Sequence, residues 1–219
     1  MAAAPPVVVC GGGIVGASIA YYLSLKGMPV TLVEGTRVAA AASGKAGGFL
    51  GRDWGDGSPT QQLHRVSFAL HAELAEELGV ESYRKLPTMQ VRAGGGAAGA
   101  AQGKVPWLDG RVASAGLMDP ATAQVTPAEL TEKLVAAAVA NGATLLTGRV
   151  EGVVLADDEA DSAEAGATVT GVRVDGATVL CSRAVFALGP WSVLLEDWLP
   201  GQSIPMVGVK SRTLIPCSR

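Results

Sequence analysis

The chain is poor in cysteine, in charge and in histidine. Its three cysteines, Cys10, Cys181 and Cys217, are widely spaced, odd in number and form no C-x-x-C pair. That argues against a disulfide framework or a zinc site and points to a reducing compartment. Cys10 and Cys181 read as small apolar strand residues. Charged residues make up 17% of the chain and the net charge is −3. No basic stripe exists to neutralise phosphates, so nucleic acid is not an expected partner. The two histidines, His64 and His71, lie seven apart on one helix with no further metal ligands nearby, and read as helix-surface residues. Both sit on one helix, and no Ser–His–Asp pattern or nucleophile elbow is visible, which argues against a hydrolase. Met1–Pro6 carries no basic n-region and leaves no room for a signal h-region. Val7–Val33 is apolar, but Gly11, Gly12, Gly13, Lys26, Gly27 and Pro29 break it at spacings that suit strand, turn, helix and strand better than a membrane span. The expectation is a cytoplasmic protein with no membrane partner and no internal repeat.

What is present is a globular composition, 48% hydrophobic over 219 residues, enough for one large or two small domains. Val7–Cys10 is a short apolar run suited to a parallel strand buried on both faces. Ile14–Lys26 reads as a helix stopped by Gly27, and Pro29–Glu34 as the next strand, together a right-handed βαβ unit. Ser58-Pro59-Thr60-Gln61 opens a second helix, with Leu63, Val66, Leu70, Leu74 and Leu78 as its apolar face. Tyr83–Arg92 has strand character, and glycine-rich Ala93–Lys104 reads as a surface loop. Thr126-Pro127-Ala128-Glu129 opens a third helix that ends at Asn141-Gly142. Strands follow at 144–146, 150–155, 171–174, 177–180 and 184–189, with acidic Asp157–Gly166 as a hairpin tip. Glu73, Glu76 and Glu77 form a solvated helix face.

The chemistry centres on Gly11-x-Gly13-x-x-Gly16, between a buried strand and a helix. The first glycine permits the tight turn, the second lets a pyrophosphate reach the backbone, and the third lets helix and strand pack closely. Phosphates would lie at the helix N-terminus beside Ile14 and Val15, where N–H groups lack intrahelical acceptors. Glu34, at the end of the second strand, is placed to accept hydrogen bonds from ribose hydroxyls and would repel a 2′-phosphate, so NADP is disfavoured. This motif by itself does not separate FAD from NAD.

Further along, Ala42-Ser43-Gly44-Lys45-Ala46-Gly47-Gly48 resembles the A-S-G/S-x-x-x-G segment of the D-amino-acid oxidase family, which also holds glycine oxidase and sarcosine oxidase. Ala123–Leu130 looks like that family's A-x-V-x-P segment before its central helix. Val150 is similar to the valine whose backbone meets adenine. Ala187-Leu188-Gly189-Pro190-Trp191-Ser192 looks like its A-x-G-x-W-S return to the cofactor. Residues 43–54 look closest to a eukaryotic branch of FAD-dependent oxidoreductases. The resemblance covers about Val7 to Leu214. It implies an α/β fold, a Rossmann-like FAD-binding domain (1–82 and 120–200) interleaved with a partial α+β substrate domain (83–119 and 201–219). It implies FAD held by Gly11, Gly13, Ile14, Val15, Gly16, Glu34, Ser43, Gly44, Lys45, Ala46, Gly47, Gly48, Val150, Ala187, Gly189 and Trp191. The implied activity is oxidation of an amine or amino-acid C–N bond by hydride transfer to flavin, with oxygen as acceptor. Trp107 and Trp198 read as packing residues, and Lys45 is equally compatible with solvent.

Ile204–Lys210 resembles the strand that opens the family's later substrate-domain sheet, after which the family's closing glycine-rich flavin segment and its substrate-clamping arginine and tyrosine do not appear. A C-terminally truncated chain is therefore expected, and no catalytic residue is named from it. Two other readings stay open: an inactive FAD-binding fragment, and an NAD-dependent oxidoreductase built on the same βαβ unit.

Overall fold

A computed structural model of the chain describes residues 5–94, 112–156, 168–199 and 201–207. The hairpin tip at 157–166, Trp107, Lys210, Cys217 and all but the first two residues of the 93–104 loop lie outside the described residues. The chain divides into two compact units, Met1–Gly47 with Thr126–Arg219, and Gly48–Val125. The resemblance had grouped residues 1–82 with 120–200; by contacts, the segment from Gly48 to Ser82 lies in the second unit.

The first unit is built on a parallel sheet. Strands β1 (Val7–Cys10), β2 (Val30–Glu34), β6 (Thr144–Thr147) and β10 (Arg183–Phe186) run in the order β10-β1-β2-β6, with Cys10 opposite Phe186 on one side and Val33 on the other. All four β1 residues are buried, as a central parallel strand covered on both faces requires. Alternation sends Val8 and Cys10 to one face and Val7 and Val9 to the other. On the first face Val8, Cys10 and Val33 join Val172, Val174 and Cys181 in one apolar cluster. Those partners belong to an antiparallel sheet of β7 (Val150–Leu155), β8 (Val169–Val174) and β9 (Ala177–Leu180), and to the turn that follows it. Cys181 is thus a buried turn residue rather than a strand residue.

Two helices cover the first unit's parallel sheet. Helix α1 (Ile14–Leu25) buries Gly16, Ala17, Ala20, Tyr21 and Ser24, and α3 (Pro127–Ala140) buries Leu130, Thr131, Leu134, Val135 and Ala138. Both sets recur at three- and four-residue spacing, the stripe a helix needs on a sheet. The two helices pack on each other. Their C-terminal ends are joined where the Asn141 amide donates to Ser24 Oγ at 3.4 Å. Pro127 sits at the first helical position, where its missing N–H is no loss, with Thr126 as N-cap and Glu129 in the first turn. After β10 a 3-10 turn (Gly189–Leu194) leads into the short helix α4 (Leu195–Trp198), whose Trp198 ring lies 6.1 Å from that of Phe186.

The second unit holds α2 (Gln61–Leu78) and an antiparallel sheet of β3 (Phe49–Leu50), β5 (Val112–Gln124) and β4 (Arg84–Ala93), in that order. Helix α2 starts one turn element later than Ser58 capping would place it: Thr60 is the N-cap position, and the Ser58 hydroxyl donates to the Gly55 carbonyl and accepts from the Thr60 N–H. Its expected apolar stripe is only partly buried. Leu74 and Ala75 are buried, but Leu63 and Val66 are 64% and 63% exposed, and Leu78 is half-buried. Strand β5 has no counterpart in the sequence reading. Residues 204–207, expected to open a strand, form none.

The buried Cys10 thiol carries a pH prediction. Burial, and secondarily the neighbouring Cys181, push its pKa from 9.0 up to about 12. In the unfolded chain the thiol ionises near 9.0, so the stability gained by burying it neutral is complete below that pH and falls as pH rises from about 9 towards about 12. The urea midpoint of the wild-type chain should therefore drop more between pH 8 and pH 10.5 than that of Cys10→Ala; equal drops would show that Cys10 is not the titrating group.

Candidate functional site

The carboxyl ends of β1, β2 and β10 converge on one turn, and backbone hydrogen bonds hold it. The Gly11 N–H donates to the Val33 carbonyl at 2.7 Å, and the Ala187 N–H to the Cys10 carbonyl at 2.8 Å. The Ala39 N–H donates to the Gly12 carbonyl at 3.0 Å, which holds buried Ala39 in the left-handed region at φ 56°. Such a conformation strains a non-glycine residue and persists only where its surroundings enforce it. Ligand sites of open α/β sheets lie outside the carboxyl ends of the strands, where this turn sits.

The three motif glycines answer to different constraints. Gly11 has φ 112°, and a Cβ there would run into the Ala187 carbonyl. A Cβ on Gly16 would overlap the Gly11 carbonyl oxygen. Both are therefore glycine because the protein packs against itself. Gly13 is different. It has φ −79°, which any residue adopts, and a Cβ there would meet only Ser43 Oγ, at 3.2 Å. Gly13 is not held bare by backbone packing: only Ser43 Oγ would crowd a Cβ there, and the residue faces open space.

That space is a cleft of about 380 Å³, within the ordinary range of small-molecule sites. Gly11, Gly12 and Gly13 form its floor, Glu34–Thr36 and Ala40–Ser43 one wall, and Ala187–Trp191 with Leu194 and Trp198 another, with Arg149 and Val150 at the β2 end. Two of the turn's donors are already engaged. The Gly12 N–H donates to Glu34 Oε2 at 2.8 Å, and the Ile14 N–H to Ser43 Oγ at 2.9 Å. Glu34 Oε1 also accepts from the Thr36 N–H at 2.9 Å and its hydroxyl at 3.3 Å. Carboxylate oxygens each have two lone pairs, so Glu34 retains acceptor capacity towards the cleft.

Of the residues singled out by sequence, Gly11, Gly13, Glu34, Ser43, Val150, Ala187, Gly189 and Trp191 line this cleft, and Ile14 reaches it through the Ser43 bond. Trp191 stands at the rim, 56% exposed. Gly16 is buried inside the turn, and Val15 is 59% exposed on the helix surface, outside the cleft lining. The 3-10 turn Ala42–Gly44 carries Ser43 inward, while Gly44, Lys45, Ala46 and Gly47 are exposed and off the lining. Gly48 belongs to the second unit. Sequence reasoning missed Gly12, Thr36, Arg149 and Trp198. Gly12 and Thr36 carried a signal, being the residues beside the turn glycine and just past the acid; Arg149 is adjacent to the already suspected Val150.

His64 and His71 belong to the second unit and are not part of the cleft lining. They border an apolar hollow with Phe49, Leu50, Trp54 and Phe68, where Nδ1 of His71 is 2.7 Å from the Ser67 carbonyl. Among the described residues no cluster of histidine, cysteine or carboxylate could hold a metal ion, and no helix is long and apolar enough to cross a membrane.

Residues 6–215 match the family model DAO, described as FAD dependent oxidoreductase. A putative oxidoreductase of Schizosaccharomyces pombe is 40% identical over 96 residues, 40% of this chain and 25% of that protein. Glycine oxidase from Bacillus cereus superposes with a TM-score of 0.72 at 25% identity, over 89% of this chain and 58% of its own. L-proline dehydrogenase from P. horikoshii superposes with a TM-score of 0.72 at 21% identity, over 94% of this chain and 58% of its own, a likeness of fold. The chain thus spans little more than half the length of these solved structures, and its match covers a quarter of the curated relative.

The division among the glycines is testable on folding alone. Gly16→Ala should destabilise the chain by about 1–3 kcal/mol or more, because neither the Gly11 carbonyl nor Ala187 can give way. Gly13→Ala should cost about 1 kcal/mol or less, the loss of a favourable N-cap residue. Urea denaturation of the two variants measures this, and equal losses would refute the distinction.

Proposed function

The chain belongs to the DAO family of FAD-dependent oxidoreductases, and from that premise we propose that its cleft is the site that holds the ADP portion of FAD for oxidation of an amine or amino acid. The observation that carries the reading is the bare Gly13, which lines the cleft and is hemmed in by no backbone, only by Ser43 Oγ at 3.2 Å from where a Cβ would stand. A phosphate can approach the backbone at that point, and the partial positive charge at the start of α1 favours it.

The residues fit the cofactor in chemistry as well as in space. Gly13 opens the approach for the diphosphate. Ser43 Oγ, which accepts from the Ile14 N–H, keeps its own proton to donate to a phosphate oxygen. Glu34, anchored by Gly12 and Thr36, offers its remaining lone pairs to the ribose hydroxyls and repels a 2′-phosphate. Val150 is apolar at the adenosine end, and Gly189 and Trp191 close the opposite wall. Val15, Gly44, Lys45, Ala46 and Gly47 lie off the cleft lining and are given no contact in this reading. When bound, FAD supplies the two-electron acceptor for oxidation of a C–N bond to an imine, with oxygen as the final acceptor. The amino-acid or amine substrate class is supported by the likeness to glycine oxidase. A reducing, cytoplasmic setting is supported by the buried free thiols of Cys10 and Cys181.

Purified protein incubated with FAD and desalted should show flavin absorbance. Gly13→Val should abolish uptake while keeping the far-UV circular dichroism, and Glu34→Ala should weaken binding by about 1–3 kcal/mol. A colourless wild-type chain, or a Gly13→Val variant with full flavin content, would overturn the assignment.

A further inference from the structure

The cleft holds one cation that the motifs do not account for. Arg149 lines it at the end of β2, and Glu34 and Arg149 are the charged residues of its lining. The backbone of Arg149 is fixed at both groups by Asp175: its N–H donates to Asp175 Oδ1 at 3.0 Å and its carbonyl accepts from the Asp175 N–H at 3.1 Å. Asp175 holds this position in the left-handed region, φ 47°, an unfavourable conformation for a residue with a side chain. The preceding Gly148 donates its N–H to the Glu34 carbonyl at 2.9 Å, and a Cβ there would press on Val174 and Asp175. Arg149 is therefore presented from a rigid backbone, immediately beside the end of the strand that carries Glu34.

Its guanidinium, meanwhile, is uncommitted. Glu34 holds the Gly12 and Thr36 donors rather than the guanidinium, and Asp175 Oδ1 accepts from the Arg149 backbone. Among the described residues the Arg149 side chain has no hydrogen-bond or ion-pair partner. If it served the diphosphate it would be expected near Gly13, but it lies at the ribose acid. If it served a 2′-phosphate, the neighbouring carboxylate would work against it. On the reading of the cleft as an FAD site, an arginine that precedes apolar Val150 in the lining, beside the end of the strand carrying Glu34, suits the flat face of a purine, to which a guanidinium stacks by cation–π attraction.

We propose that Arg149 is the base-recognition residue of the cleft, its guanidinium covering the adenine ring so that the site selects a purine dinucleotide. The inference rests on the reading of the cleft as an FAD site. It is a specificity role, so the test reads a preference rather than affinity alone. Calorimetric titration with ADP and with UDP, which share ribose and diphosphate and differ in the base, gives the ratio of the two dissociation constants. FAD uptake is measured in parallel. The wild-type chain should favour ADP, and Arg149→Ala should narrow that preference about tenfold. Arg149→Lys, which keeps the charge and loses the plane, should leave it narrowed. An unchanged ADP-to-UDP ratio in Arg149→Ala, or full recovery in Arg149→Lys, overturns the inference while leaving FAD binding by the wild type intact. A wild-type chain that takes up neither FAD nor ADP overturns the cofactor reading, and this inference with it.

Discussion

The contact on which the first unit depends is the close approach of backbone at the ends of β1 and β10. Gly16 lies against the Gly11 carbonyl, and Gly11 against the Ala187 carbonyl, with no room for a side chain at either glycine. Two hydrogen bonds, from Gly11 to Val33 and from Ala187 to Cys10, lock the same three strand ends. Because α1 starts inside this contact, its direction is set there. Small residues then continue along its inner face as Ala17 and Ala20, both fully buried. One tight crossing thereby fixes the sheet order, the helix seat and the orientation of the helix N-terminus towards the cleft.

The same crossing separates structural from functional demand within a single motif. A Gly-x-Gly-x-x-Gly sequence invites the assumption that every glycine serves the ligand. Here two of the three are explained by self-packing, and a chain that bound nothing would still need them. Gly13 is the position at which the protein leaves space it does not use. Glu34 and Ser43 show the converse arrangement. Both engage donors of the turn, at 2.8 and 2.9 Å, before any ligand enters. An anion arriving at the start of α1 must add to these bonds rather than replace them at a loss of roughly 0.5–1.5 kcal/mol each. The Ser43 hydroxyl can do so, because it keeps its proton to donate, whereas the lone pairs left on Glu34 suit a hydroxyl donor and not an anion.

Much of the first unit was legible in the sequence because its signals are local. The strand–turn–helix–strand order, the stop at Gly27, the Pro127 helix start and the acid at Glu34 depend on residues within one or two turns of each other, and all appear where the spacing put them. The second unit was less legible. Helix α2 repeats apolar residues at helical spacing, yet Leu63 and Val66 are exposed and burial is concentrated at Leu74 and Ala75, since periodicity states that a face exists and not how far along it a partner extends. Strand β5 was invisible because its sequence, with four alanines and a Gly, an Asp and a Pro among thirteen residues, lacks the β-branched alternation by which strands are recognised. It pairs with β4 through three register shifts, which absorb residues such as Pro120. Within the site, the Ser43–Gly48 block was read as one cofactor-facing segment. A 3-10 turn of three residues rotates Ser43 towards the cleft and its followers away, an effect of local backbone geometry that composition does not encode.

The residues that sequence reasoning missed share a cause. Arg149 and Trp198 have no motif of their own; each acquires a place in the cleft from a long-range contact elsewhere. Trp198 arrives because α4 folds back to set its ring against Phe186 of β10. Arg149 arrives because Gly148 closes on the end of β2 and the Asp175 turn braces it from the other side. Asp175 is not adjacent to Arg149 in sequence; it belongs to the hairpin between β8 and β9, an element with no apparent link to dinucleotide binding. That hairpin nevertheless shares the Val8, Cys10 and Val33 cluster through Val172 and Val174. The apolar core beneath the sheet thus determines where a cation stands above it.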